Sequence, residues 1–175
     1  MRVVAVAEYT DCMKIPSTMR GVSVRVCLFA AVLGCAGQAA DFPFVGTWKI
    51  DAPKSSWSDG KFPKNMSITI DLKFQSDQLI YHSINDTNKD KPALLDWTAK
   101  LDWQTYPVPN NARFNEVRGR RLSPTQLEVL ELKDGDVIVS ALWEMEKGGK
   151  RFVRRGVGKG ADGKSHEYEE FFDKQ

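Results

Sequence analysis

Between residues 66 and 74, Met66, Ile68, Ile70, Leu72 and Phe74 alternate with Ser67, Thr69, Asp71 and Lys73. A period of two places the apolar side chains on one face of an extended strand and the polar ones on the other. The pattern recurs. Leu95, Trp97, Ala99, Leu101 and Trp103 alternate with Asp96, Thr98, Lys100 and Asp102, and further strand-like runs lie at 46–50, 79–84, 114–122, 127–133, 137–145, 151–157 and 165–172. Turn residues separate them: Gln75-Ser76-Asp77, Ser123-Pro124-Thr125, Asp134-Gly135, Gly148-Gly149 and Asp162-Gly163. No segment shows sustained helical periodicity. The chain is therefore expected to be all-β, with about nine strands in an antiparallel barrel or sandwich. Closure removes exposed sheet edges, so an up-and-down β-barrel of about eight to ten strands is the expected architecture.

The first forty residues read differently. Residues 26–37 (VCLFAAVLGCAG) carry no charge and follow Arg20 and Arg25. As a helix they would span about 18 Å at ~1.5 Å per residue, short of a ~30 Å hydrocarbon core. A basic flank, a short apolar core and the small-residue end Gly37-Gln38-Ala39-Ala40 predict a secretory signal peptide over 1–40. Met13 and Met19 are alternative starts for it. The folded domain is then 41–175, and a periplasmic or secreted location is expected. Val32-Leu33-Gly34-Cys35 also resembles a bacterial lipobox, which would instead anchor a lipoprotein through Cys35. Cys12, Cys27 and Cys35 all precede Asp41, so the domain has no disulfide and must stand on its core.

Arg2, Lys14, Arg20, Arg25, Glu8 and Asp11 also precede residue 41, which leaves 21 basic and 21 acidic residues from Asp41 onward. A balanced domain has no general electrostatic reason to bind nucleic acid or an anionic membrane. Neither partner is expected, nor a transmembrane span in the mature chain, and the expected state is a monomer.

Gly46-Thr47-Trp48-Lys49-Ile50-Asp51 followed by Lys54-Ser55, and Trp97-Thr98-Ala99-Lys100-Leu101-Asp102 followed by Tyr106-Pro107-Val108, carry a resemblance. They resemble segments of small exported bacterial proteins described as lipocalin-like, of the calycin type and without an assigned activity. The resemblance implies a barrel over most of 44–175 and an arginine from a late strand, Arg154 or Arg155, covering Trp48. The Thr-Asp-Tyr turn of many lipocalins is absent; the corresponding hairpin reads Lys133-Asp134-Gly135-Asp136.

Catalytic motifs are scarce. Gly158-Lys159-Gly160-Ala161-Asp162-Gly163-Lys164-Ser165 fits the phosphate-loop pattern, but that motif needs a helix after it, and here a strand follows. It is expected to be a hairpin turn. The two histidines, His82 and His166, lack metal-site spacing, and neither a metal nor a cofactor is expected. No nucleophile elbow is present, and no cysteine survives processing. A non-enzyme is expected, a barrel enzyme using His166 or Glu170 being the less favoured alternative.

Arginines cluster on two strands: Arg118, Arg120 and Arg121, then Arg151, Arg154 and Arg155. Strand alternation turns at least one of each group inward, where a guanidinium could fork onto a ligand acid. Alternatively they pair with Glu128, Glu131, Glu144, Glu146, Glu167 and Glu169 on the solvated face. The expected function is interior binding of a small, largely apolar molecule, hydrophobic or amphipathic, with an acid among the candidates. Trp48, Trp97, Trp103 and Trp143 are expected to line or close the cavity. Arg118 or Arg154 is its expected polar anchor, and Tyr168 is a candidate inner hydroxyl, although packing against Phe172 is the favoured role for it. In the alternative, the barrel is filled and serves as an envelope structural or protein-interaction domain. Trp57 and Phe62, large residues in the polar loop 51–63, are candidates to cover a mouth.

Overall fold

The computed structural model describes residues 42–160 and 163–175; the expected signal peptide and lipobox lie outside the described residues. Eleven strands follow one another: β1 (Gly46–Ile50), β2 (Ser56–Trp57), β3 (Ile68–Gln75), β4 (Gln78–Asn85), β5 (Ala93–Lys100), β6 (Asp102–Pro107), β7 (Glu116–Ser123), β8 (Gln126–Lys133), β9 (Asp136–Met145), β10 (Arg151–Lys159) and β11 (Ser165–Lys174). Every described pairing is antiparallel, and no helix occurs among the described residues. Hydrogen bonding runs in the order β5-β4-β3-β1-β11-β10-β9-β8-β7-β6, so β1 joins the first strands to the last. At the one seam, β5 lies against β6 and β7 without a ladder to β6. The barrel is nearly closed.

Turn chemistry sets the hairpins as the sequence suggests. Ser76 (φ 50°) and Asp77 (φ 63°) join β3 to β4, and Asp134 (φ 53°) and Gly135 (φ 88°) join β8 to β9. Positive φ at both central residues matches the right-handed twist of the flanking strands. Gly158-Lys159 and Ser165 belong to the antiparallel neighbours β10 and β11, so the phosphate-loop lookalike is a hairpin connection.

One expected strand is two. The alternation at 95–103 breaks at Leu101, because the Asp102 carboxylate caps a turn instead of extending the ladder. Its Oδ1 accepts from Gln104 N–H at 3.0 Å, and its Oδ2 accepts from the Tyr106 hydroxyl at 2.9 Å. The register against β7 shifts between Asp102 and Thr105, and Trp103 takes φ 65°. The kink turns Trp103 to the outer face, where the Arg120 guanidinium stacks on its ring at 4.3 Å and Arg118 approaches at 5.8 Å. An interior Trp103 is thus corrected.

One half of the interior is solid with aromatic side chains. Trp48, Phe44, Phe152 and Phe172 are fully buried. Phe152 stacks on Phe172 at 4.9 Å and meets Trp48 edge-on at 5.0 Å; Trp143 stacks on its other side at 5.7 Å. Such pairs add to the area term about 0.5–1.5 kcal/mol each. Trp48 Nε1–H donates to the Phe44 carbonyl at 2.8 Å, which satisfies the polar atom of a buried indole. Gly46 takes φ 136°, a backbone state that L side chains rarely adopt, and so lets the chain turn into β1.

The cation over Trp48 is Lys174, its Nζ 5.3 Å from the ring, and not Arg154 or Arg155. Register explains the correction: Trp48 lies opposite Lys174, whereas Arg154 lies opposite Glu170, further up β11. Arg155 points outward and bonds Glu169 at 2.6 Å and Glu144 at 3.1 Å. Among the described residues, no helix is long and apolar enough to cross a membrane.

Candidate functional site

Going up β10, the inward positions are Phe152, Arg154, Gly156 and Gly158, so side-chain bulk falls away toward one end. Across the ladder, β11 supplies Glu170 opposite Arg154, Tyr168 opposite Gly156 and His166 opposite Gly158. Gly156 allows close approach: a Cβ there would collide with the Ser140 carbonyl oxygen and lie 2.9 Å from the Tyr168 hydroxyl. Gly158 lines the chamber wall without a side chain of its own. The result is a chamber of about 720 Å³.

Its walls come from five strands and three loops. Glu131 on β8 and Val139 on β9 face inward as a cross-strand pair, joined by Arg154 and the β11 residues. The segment after β1 pairs with β11 as β2, setting Trp57 opposite Tyr168 at the mouth. Trp57 lines the chamber, and buried Phe62 braces it edge-on at 5.3 Å. In the β6–β7 loop, Asn111 Oδ1 accepts from Arg113 N–H at 2.8 Å and anchors a turn that presents Arg113 to the chamber. Asp59 lies on the opposite side, its Oδ2 3.8 Å from His166 Nδ1.

The polar groups are unequally matched. Arg154 Nε and Nη2 both donate to Glu170 Oε2, at 2.8 and 2.5 Å, with the two side chains 16% and 9% exposed. Burial opposes the Arg154 charge, but Glu170, Tyr81 and Tyr168 oppose its deprotonation more strongly, and its pKa stands above the ordinary value. Burial likewise pushes the Tyr168 phenol up, so it is a neutral hydroxyl. Glu131 is different. Its Oε2 is fully buried without a hydrogen-bond partner, and Arg113 Nη1 is 4.0 Å away. Burial raises its carboxyl, while Arg113 and Arg154 pull it down and Glu170 pushes it further up.

Below the charged layer, Tyr81 and Trp97 stack at 4.8 Å, and Trp143 lies 6.0 Å from Tyr81. These rings line a separate small gap that shares Glu131, Val139, Arg154 and Tyr168 with the chamber. Of the residues expected at the site, Arg154 and Tyr168 line the chamber, Trp97 and Trp143 border the small gap beside it, and Trp48 lies in the solid half. Trp103 and Arg118 are on the outside. Arg118 shares a face with its partner Leu130 and donates to Thr105 Oγ1 at 2.8 Å, so it is not an interior anchor.

Glu131, expected among the solvated acids, faces inward instead. Leu127 and Val129 share its side of β8, a signal of alternation that the charge obscured. Arg113 and Asp59 come from loops, where no periodicity announces direction. His82 lies on an outer face, 2.5 Å from Asp96. His166 and Glu170 share the chamber, but Glu170 is committed to Arg154. Among the described residues no cluster of His, Cys, Asp and Glu is arranged to hold a metal ion.

No family model matches the sequence, and no curated protein matches it significantly. The structure matches 35 solved chains. One is a Schistosoma mansoni fatty acid binding protein in complex with arachidonic acid, at 12% identity and TM-score 0.53, covering 76% of this chain and 96% of that one. Another is zebrafish ileal bile acid-binding protein complexed with cholic acid, at 10% identity and TM-score 0.51, covering 76% and 99%. At such identity the likeness concerns the fold, which is a lipocalin-like barrel of the calycin type.

Proposed function

We propose that this chain is a carrier that holds one small amphipathic molecule in the chamber at the open end of its barrel. One observation carries the reading: the interior is solid over one half and leaves about 720 Å³ in the other. That volume falls within the roughly 300–1,000 Å³ of ordinary ligand pockets, and Trp57, Val139 and Tyr168 give the chamber apolar surface among its charged groups. The arachidonic acid and cholic acid complexes of similarly folded proteins support the same class of ligand. The charged walls argue for an amphipathic molecule over a purely apolar one. The leader-like residues 1–40 support placing the carrier in the periplasm or outside the cell.

Filling the chamber tests this. A Cβ at Gly158 would meet Val139 Cγ2 at 3.3 Å, Arg113 Nη2 at 3.6 Å and Ile138 O at 3.8 Å, so Gly158→Leu requires little backbone movement. Its side chain would project into the chamber. Wild type is expected to bind the neutral fluorophore N-phenyl-1-naphthylamine with a blue-shifted emission. Gly158→Leu should weaken that binding about tenfold or more while still unfolding cooperatively. Equal binding by the two proteins would place the ligand elsewhere.

A further inference from the structure

The two fold neighbours described above were solved with acids, and an acid would ordinarily look for a buried arginine. Here the chamber's most buried cation is already matched. Arg154 is held by Glu170 within the wall, whereas Arg113 is 58% exposed at its side chain. An acid entering deeply would gain no free guanidinium and would meet two carboxyl groups, Glu131 and Glu170.

Two fully buried side-chain polar atoms among the described residues have no hydrogen-bond partner: Glu131 Oε2 and Trp143 Nε1. They border the same small gap of about 10 Å³, beneath the chamber and beside the Tyr81–Trp97 stack. The gap shares Glu131, Val139, Arg154 and Tyr168 with the chamber. It adjoins the chamber across these shared side chains, and its size suits one group no larger than a water molecule. One orphan accepts a hydrogen bond and the other donates one. Their complement must do both.

Resting on the carrier reading above, we infer that the chamber selects an alcohol: an amphipathic ligand enters hydroxyl first, donating to Glu131 and accepting from Trp143. A carboxylate in that position would accept from the indole but repel an ionised Glu131. An ammonium would donate to Glu131 but leave the indole N–H unmatched. A hydroxyl satisfies both atoms with one oxygen and one hydrogen. Sites with buried polar groups discriminate strongly against ligands that leave those groups unpaired.

The test uses the full chain and three probes of equal length: 1-octanol, octanoate and octylamine, each displacing N-phenyl-1-naphthylamine. Octanol is expected to bind about tenfold more tightly than either charged probe. It should also move the Trp143 indole N–H resonance, which is identified by its loss in Trp143→Phe. Glu131→Leu and Trp143→Phe should each abolish most of the preference, and either variant suffices if the other fails to fold. Preference for octanoate, equal displacement by all three, or an unmoved indole resonance would overturn the hydroxyl assignment. Those results would leave the carrier reading standing so long as Gly158→Leu still blocks the fluorophore. Failure of all three probes overturns the assignment, and a fluorophore indifferent to Gly158→Leu overturns the chamber itself.

Discussion

Replacing Arg154 with methionine is expected to cost the fold about 3–5 kcal/mol, read from urea denaturation. The side chain is 16% exposed and donates twice to Glu170, itself 9% exposed. Removing the guanidinium leaves a carboxylate inside the barrel with its desolvation uncompensated, beside Glu131. The methionine retains much of the packing against Phe172, whose ring the guanidinium covers at 5.2 Å. Most of the loss is therefore electrostatic. The double variant Arg154→Met/Glu170→Leu should recover most of it, since two apolar side chains replace a pair whose attraction barely exceeds its desolvation cost. Arg155→Ala gives the contrast. Its links to Glu144 and Glu169 are solvent-exposed, so it should cost under about 1 kcal/mol. If Arg154→Met and Arg155→Ala proved equally mild, Arg154 would not be a buried, matched charge.

The second large effect belongs to the solid half. Trp48→Ala should destabilise by about 3–5 kcal/mol, the range for deleting a buried aromatic from a core that cannot collapse around the gap. Trp48 is wholly buried, abuts Phe152 edge-on at 5.0 Å, and is roofed by Lys174. Trp48→Phe should cost less, about 1–2 kcal/mol, since it keeps a ring but loses the Nε1–H bond to the Phe44 carbonyl. Thermal or chemical unfolding measures both. A Trp48→Ala loss below about 1 kcal/mol would contradict a core built around this indole.

The contrast between these halves shows what alternation reveals. Met66 to Phe74 and the Asp134-Gly135 hairpin were legible because burial on one face imposes a period of two and a tight turn demands positive φ. The same rule misplaced Trp103: nothing in an uninterrupted alternation signals that Asp102 will cap a turn and reverse its parity. At the site, Arg154 and Tyr168 were recognised as inward candidates. Arg118 was an equally good candidate by composition, and the register alone puts it outside. Glu131 was hidden by its charge, since acids are ordinarily solvated, although Leu127 and Val129 mark its face. Arg113 and Asp59 depend on loop geometry, which carries no sequence period.

The chamber also explains a local cost. A buried carboxyl oxygen and a buried indole N–H without partners lower stability, and native cores seldom retain such atoms. On the hydroxyl-binding proposal, that cost is relieved when a ligand is bound.

Native mass spectrometry of the purified full chain, before and after gentle solvent extraction, tests the central claim most directly. The account predicts a reproducible added mass on wild type that extraction releases and that Gly158→Leu lacks. A bare polypeptide mass for both proteins, even after incubation with mixed lipids and small alcohols, would contradict a ligand-holding chamber.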